Sequence, residues 1–307
     1  MDADVVDEET ERSDPAKTDT AEGSPAGQDL REFFSRTRSF IRRGERMGPS
    51  LQRTWDNHRD EYLVKVARGS GHTTVDLDAR VEPAEIFAQP APLVVEVGCG
   101  TGTQIVHAAS THPQTNFLGF EVWIPGLAKT VSGAVQAGGL PNLRLLDFDA
   151  QQAAPVLLPA GCVDEVWTFF PDPWPKARHK KRRLVSPGFA TKVVRLLKPG
   201  GLWRLATDWD DYAYQIRDVI ESTPGLANLH VEQRPEEDDP AGGTHGGFAP
   251  RWEGRTLTVF ERRALRDGRI VHDVTAQKIP EGEPLDNAVL GQGVAEMHES
   301  ADLDGLS

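Results

Sequence analysis

The sequence predicts an α/β protein: a mostly parallel sheet with helices on both faces. Three observations carry this. Apolar runs at residues 93–97, 116–122, 143–148, 163–170 and 201–207 alternate with helix-length segments, the last of them at about 210–222, which is the pattern of a covered parallel sheet. The first run leads directly into a glycine loop, 94-VVEVGCGTGTQ-104. Past residue 222 the alternation stops. Residues 229–234 and 257–263 both read as strands with no helical stretch between them, which predicts an antiparallel hairpin closing one edge.

Composition bounds the rest. Of 307 residues 38% are apolar, enough for a core, and no apolar run is long enough to cross a membrane as a helix. The N-terminus, MDADVVDEETERSD, has no apolar segment of the secretory kind. Two cysteines, Cys99 and Cys162, exclude a disulfide framework and suit a reducing cytoplasm. The net charge of −13 is unevenly spread. Residues 1–29 carry −8 and residues 279–307 carry −7, which leaves +2 for residues 30–278. Charge distribution, more than total charge, marks an anionic partner.

Four segments follow. Residues 1–29 form an acidic tail expected to be disordered. Residues 30–80 form a basic arm, with seven arginines between Arg31 and Arg53 and Phe33, Phe34 and Phe40 among them. That arm either contacts RNA or phosphate, or packs its aromatics on the domain. Residues 81–278 are the catalytic domain, and residues 279–307 a second acidic tail of the same expected disorder. On charge alone, the tails are candidates to compete with RNA for the basic strips.

In the glycine loop a dinucleotide fingerprint would place glycine at position 103, where the residue is Thr103. The pattern is instead Glu96-x-Gly98-x-Gly100-x-Gly102. It suits S-adenosylmethionine (SAM), whose sulfonium and amino groups favour nearby carboxylates and which has no pyrophosphate to cradle. Glu121, at the tip of the second strand, is placed to accept from ribose hydroxyls or to answer a helix dipole. Asp149, after the third strand, reads as a helix N-cap, as an adenine contact, or as both.

The fourth strand ends in 169-FFPDPWPKARHKKRR-183. Prolines on both sides of Asp172 stiffen the turn, and six of the eight residues 176–183 are basic. With this block in view, the chain resembles the bacterial tRNA (guanine-N7-)-methyltransferase family from about Arg38 to about Asp273. The carrying motifs are 38-RSFIRR-43 with Arg46 and Met47, 95-VEVGCGTG-102, 118-LGFEV-122, the FFPDPW block, 206-ATDW-209 and 258-TVFERR-263. The block after the fourth strand is the most specific of these. The chain departs from the pattern in its acidic tails and in the insert 238-DDPAGGTHGGFAP-250.

The resemblance implies a class I (Rossmann-like) methyltransferase fold, seven strands with the last antiparallel. It implies methyl transfer from SAM to N7 of guanine 46 in the tRNA variable loop, with no metal. It makes Glu96, Glu121 and Asp149 donor contacts and Asp172 both a donor contact and the catalytic residue. Lys176, Asp208, Thr258, Val259, Phe260 and Glu261 would touch the substrate. Arg178, His179, Lys180, Lys181, Arg182 and Arg183 would form the RNA strip. Guanine N7 bears a lone pair and no proton, so the reaction needs alignment and no general base. The scattered histidines agree with that. Several alternatives stay open on residues alone. Trp174 stacks on a base or anchors the turn. Asp208 accepts from guanine or caps the next helix. Glu261 accepts from a base or belongs to a surface ion pair. The strip holds phosphates or is a solvated loop. A small-molecule methyltransferase and a non-catalytic RNA-binding protein are the rivals. The first leaves the basic segments idle, and the second leaves Glu96, the glycines and Asp172 without a purpose. No protein partner or membrane is indicated.

Overall fold

The computed structural model describes residues 46–231 and 246–279. Both acidic tails, the arm as far as residue 45 with its three phenylalanines and the RSFIRR motif, and most of the insert lie outside the described residues.

Seven strands form one sheet in the order β3-β2-β1-β4-β5-β7-β6. They are β1 (Leu93–Val97), β2 (Asn116–Phe120), β3 (Leu143–Leu146), β4 (Val163–Phe169), β5 (Leu197–Thr207), β6 (Leu226–Asn228) and β7 (His272–Lys278). β1 and β2 are buried along their whole length, as strands covered on both faces must be. The first five strands pair in parallel, whereas β7 runs antiparallel to both β5 and β6. This is the class I methyltransferase sheet.

The helices are α1 (Pro49–Tyr62), α2 (Pro83–Ile86), α3 (Thr103–Thr111), α4 (Ile124–Gln136), α5 (Ala150–Leu157), α6 (Pro187–Leu196), α7 (Asp210–Ser222) and α8 (Val259–Arg266), with a 3₁₀ helix at Ala177–Arg182. α1 buries Trp55 and Tyr62 in a cluster with Leu127, Val131, Leu143 and Leu145. Past its end, Val64 N–H donates to Leu145 O at 3.0 Å, which fixes the chain along the outer edge of β3.

The antiparallel edge corrects the sequence reading in detail. Residues 229–234 are not a strand over their described part; β6 lies just upstream. Residues 257–263 are not a strand either. They hold the N-cap and first turns of α8, and β7 follows nine residues later. A helix therefore stands between β6 and β7 in the chain, and β7 inserts between β5 and the edge strand β6.

Strand order reverses between β1 and β4. In open α/β sheets the ligand crevice lies there, outside the carboxyl ends of the strands. The glycine loop follows β1 and the FFPDPW turn follows β4, so the topology sets the two most distinctive motifs side by side.

Candidate active site

Three glycines shape the floor of the crevice. Gly98, Gly100 and Gly102 all adopt left-handed φ, at 74°, 59° and 76°, a region where glycine meets no steric cost. A Cβ on Gly102 would come within 2.4 Å of Thr130 Oγ1, so α3 and α4 depend on that absent side chain to approach. At Gly98 a Cβ would meet nothing within 4 Å, and at Gly100 only the loop's own Gly98 O at 3.9 Å. Backbone is thus bare and open on one side, as a closely approaching ligand requires.

Two carboxylates stand at this floor in different states. Glu96, near the end of β1, is buried, and its Oε2 has no hydrogen-bond partner. Burial, and then the neighbouring charge of Glu121, push its pKa up to about 8. Glu121 is satisfied by the backbone: Gly100 N–H donates to Oε2 at 2.8 Å, and Val122 and Trp123 N–H to Oε1 at 2.8 and 2.9 Å. It ties the glycine loop to the start of α4, which is the dipole-satisfying arrangement of the two open to it. Asp149 is the N-cap of α5 and accepts from Gln151 N–H at 3.0 Å.

These residues fit a donor of the SAM kind. An unpartnered buried carboxylate oxygen suits an ammonium donor, and the open glycine backbone suits close approach. Glu96, Gly98 and Gly100 would hold it, with Glu121 and Asp149 beyond them at the tips of β2 and β3. Among the described residues no cluster of His, Cys, Asp and Glu could hold a metal ion.

The turn after β4 is stiffer than its prolines alone require. Phe170 and Trp174, which bracket Pro171-Asp172-Pro173, both have positive φ, at 52° and 43°. Left-handed non-glycine residues cost of order 1–3 kcal/mol each and persist only where surroundings dictate them. One such determinant is Arg183. Its Nε donates to Pro173 O at 2.8 Å, while its other nitrogens reach Gln215 Oε1 at 2.8 Å and Asp211 Oδ2 at 2.5 Å. The turn holds Asp172 exposed to solvent.

The basic strip divides accordingly. Lys176, Arg178 and Lys181 are exposed. Lys180 is paired with Asp211 at 2.8 Å. Arg182 lies over the Trp174 ring at 5.1 Å, and His179 meets that ring edge-on at 5.8 Å. Trp174 is therefore half-buried inside the strip. The Arg183 side chain is only 1% exposed. That corrects its place in the RNA strip: it anchors the turn and is turned away from solvent.

Two further expectations change. Asp208 neither caps α7, whose N-cap is Trp209, nor stands open, because it pairs with Arg269. Thr258 caps α8, accepting from Glu261 N–H at 3.3 Å. Glu261 is buried, and both its oxygens accept from Arg251, at 2.6 and 3.1 Å, with Arg255 Nη2 on Oε1 at 3.2 Å. It is neither a surface ion pair nor an open acceptor. Of that segment only Val259 and Phe260 face solvent.

Sequence reasoning missed the residues that lock this corner. Arg255 is fully buried, joins Glu261 to Asp273 (2.9 Å), leaves Nε and Nη1 without partners, and lies over Phe169 and Phe170 at 5.9 and 5.5 Å. Gln104, in the first turn of α3, donates to Gly254 O at 2.9 Å and accepts from Thr256 N–H at 2.7 Å and Thr256 O–H at 2.9 Å. It thereby joins the helix of the glycine loop to the segment leading into α8. These partners lie up to 152 residues apart, and no local pattern pairs them.

Fold and crevice together define a SAM-type class I methyltransferase, and the family model described as "Putative methyltransferase" matches residues 90–268. Relatives narrow this. The tRNA (guanine-N(7)-)-methyltransferase of Paenarthrobacter aurescens is 37% identical over 280 residues, covering 80% of this chain and 93% of its own. Those of Cutibacterium acnes (38%, covering 88% and 99%) and Bifidobacterium longum subsp. infantis (42%, covering 78% and 88%) agree. The chain belongs to the tRNA (guanine-N(7)-)-methyltransferase family.

Proposed function

We propose that the protein transfers the methyl group of SAM to N7 of guanine 46 in the variable loop of tRNA, giving 7-methylguanosine. One observation carries the reading. At the β1/β4 switch point a bare glycine floor with an unpartnered buried carboxylate adjoins a rigid turn that presents Asp172, and exposed Lys176, Arg178 and Lys181 follow that turn.

SAM supplies an electrophilic methyl group when bound. Guanine N7 has a lone pair and no proton, so the protein's task is alignment, which is worth up to about 7–11 kcal/mol in favourable cases. Glu96 receives the donor's ammonium. Asp172, exposed on its stiff turn, accepts from guanine N–H groups or from the donor and sets the base against the methyl carbon. Lys176, Arg178 and Lys181 hold phosphates, which position RNA without reading its sequence. Asp208 and Glu261 act through Arg269 and through Arg251 and Arg255, shaping the far wall of the crevice. A small-molecule acceptor would leave the exposed cations beside the turn without a purpose. With tRNA as substrate, we infer that the protein works in the cytoplasm.

The test is methyl transfer from labelled SAM to unmodified tRNA transcripts, with the product base mapped by digestion and mass spectrometry. We expect 7-methylguanosine that disappears when the variable-loop guanine is replaced by adenosine. Asp172→Ala is expected to lose about 100-fold or more in turnover, the scale of a misplaced reactant, while keeping its unfolding midpoint. Near-normal turnover in that variant would remove Asp172 from the mechanism.

A further inference from the structure

We infer that the solvent face of α8 is a second tRNA-contacting surface, in which Arg262, Arg263 and Arg266 hold phosphates while Val259, Phe260 and Leu265 cover sugar and base edges beside the catalytic turn. The inference rests on the tRNA reading above. The family resemblance already implies substrate contact at Val259 and Phe260; what is added is the face of Arg262, Arg263, Leu265 and Arg266 beyond them.

Exposed apolar side chains are concentrated here. Of the seven large ones among the described residues, five lie in residues 257–270: Leu257, Val259, Phe260, Leu265 and Ile270, with Val259 61% exposed. Such concentration marks an interaction surface, where scattered single residues would not. Arginines are interleaved with them. Arg262 is exposed, and the side chains of Arg263 and Arg266 are 68% and 71% exposed. Glu261, the one acid within the helix, is turned inward onto Arg251 and Arg255, so it does not offset them. Asp267 pairs with Arg266 at 2.9 Å, with Arg263 at 4.0 Å and with Arg269 at 3.1 Å, but ion pairs this exposed are worth little and yield readily to a phosphate.

The helix is also in the right place. Thr207, at the end of β5, pairs with His272, at the start of β7, so the chain just before β7 lies at the carboxyl edge of the sheet. The Asp208–Arg269 pair fixes the end of the α8 segment there. At the other end the Phe260 ring stacks on Phe170, 6.3 Å between centroids and 18° between planes. The α8 face and the strip of residues 176–183 thus flank one turn from two sides.

Charge selects the partner. This face interleaves three exposed arginines with apolar surface and has no exposed acid within the helix, the combination of phosphate-binding charge and base-covering surface that nucleic-acid grooves use. A second copy of the chain is disfavoured as well. A two-fold interface sets a patch against itself, which here would oppose arginines to arginines.

The experiment measures binding of a tRNA transcript to the full chain and to the variant Arg262→Ala/Arg263→Ala/Arg266→Ala over a range of salt. Each phosphate contact contributes about 0.7–0.9 to the slope of log K against log salt. We expect the variant's slope to be shallower by about 2–3, with SAM affinity and unfolding midpoint unchanged. Wild-type methylation of tRNA combined with an unchanged slope in the variant overturns the α8 surface alone. If the wild type neither binds nor methylates tRNA, the functional reading itself fails. Leu265→Lys separates the remaining occupant. On an RNA surface the added charge makes the salt slope steeper by up to about 1 and leaves the chain's oligomeric state unchanged. A wild-type dimer in sedimentation that this substitution dissociates would assign the face to self-association instead.

Discussion

If Glu96 receives the donor's ammonium as proposed, the donor must displace a proton from it. Its raised pKa of about 8 comes from burial first and the Glu121 charge second. An incoming ammonium favours the carboxylate, so the pKa falls in the complex and binding releases a proton. Donor affinity should therefore rise as pH is raised from about 6 and fall again above about 8, where the donor's own α-amino group loses its charge. Without ligand the sign is opposite. A carboxyl whose folded pKa is raised gives its full contribution to stability below its unfolded value, 4.5, and loses it as pH rises through about 8. Glu96→Gln, neutral at every pH, should flatten that rise and the stability trend. Calorimetric SAM titrations at several pH values, with unfolding midpoints alongside, check this; identical profiles for the two proteins would detach Glu96 from the donor. Glu121, the acid placed nearest the ribose on sequence grounds, works differently. Three backbone N–H groups bond its carboxylate, so it holds the loop whatever else it touches.

At the scale of elements, the parallel core was legible and the closing edge was not. β1 and β2 are buried along their whole length and β3 to β5 over much of theirs, and burial of that kind is visible in composition. α8 was read as a strand because Leu257, Val259 and Phe260 have strand-favouring side chains. The contrary signal was present: Thr258-x-x-Glu261 is the spacing of a capping box, and Thr258 does cap α8. Glu261, however, does not complete the box, since its carboxylate goes to Arg251 and Arg255. β7 carries polar residues at His272, Asp273, Thr275 and Gln277, yet it is an inner strand. Its burial comes from β6 and the residues before it, which pattern alone does not foretell. The same holds for Arg183, one of six bases in a row of eight, distinguished only by its fold partners. Gln104 is the junction that no pattern announced. Gln104→Leu would leave Gly254 O and two donors of Thr256 without partners and loosen the segment leading into α8. We expect catalytic efficiency towards tRNA to fall by about tenfold to a hundredfold, the scale of a small misplacement, with donor affinity within about twofold of wild type. Steady-state kinetics in both substrates decide it, and a matching loss of donor affinity would make Gln104 a support of the glycine loop alone.

At the scale of the whole molecule, an acidic protein presents a cationic working surface. Residues 30–278 carry +2 while the two ends carry −8 and −7. Among the exposed cations, Lys176, Arg178 and Lys181 follow the turn after β4, and Arg262, Arg263 and Arg266 lie on α8. A segment tethered to its own domain acts at high effective concentration, and on charge alone we propose that the acidic ends compete with RNA for these cations. Competition of this kind discriminates. A ligand that engages many cations at once, in a fixed geometry, displaces the tail, whereas a weak or partial contact does not. Exposed charges are screened over about 10 Å at 0.1 M salt, so the competition should fade as salt rises. A chain lacking residues 1–29 is therefore expected to bind tRNA several-fold more tightly than the full chain at low ionic strength. The advantage should shrink as salt approaches physiological levels, and SAM affinity should not change. Binding curves for the two chains across a salt series check this. Coincident curves at the lowest salt would mean that the tail's eight net negative charges never meet the RNA surface, and that the −13 of the whole chain serves solubility alone.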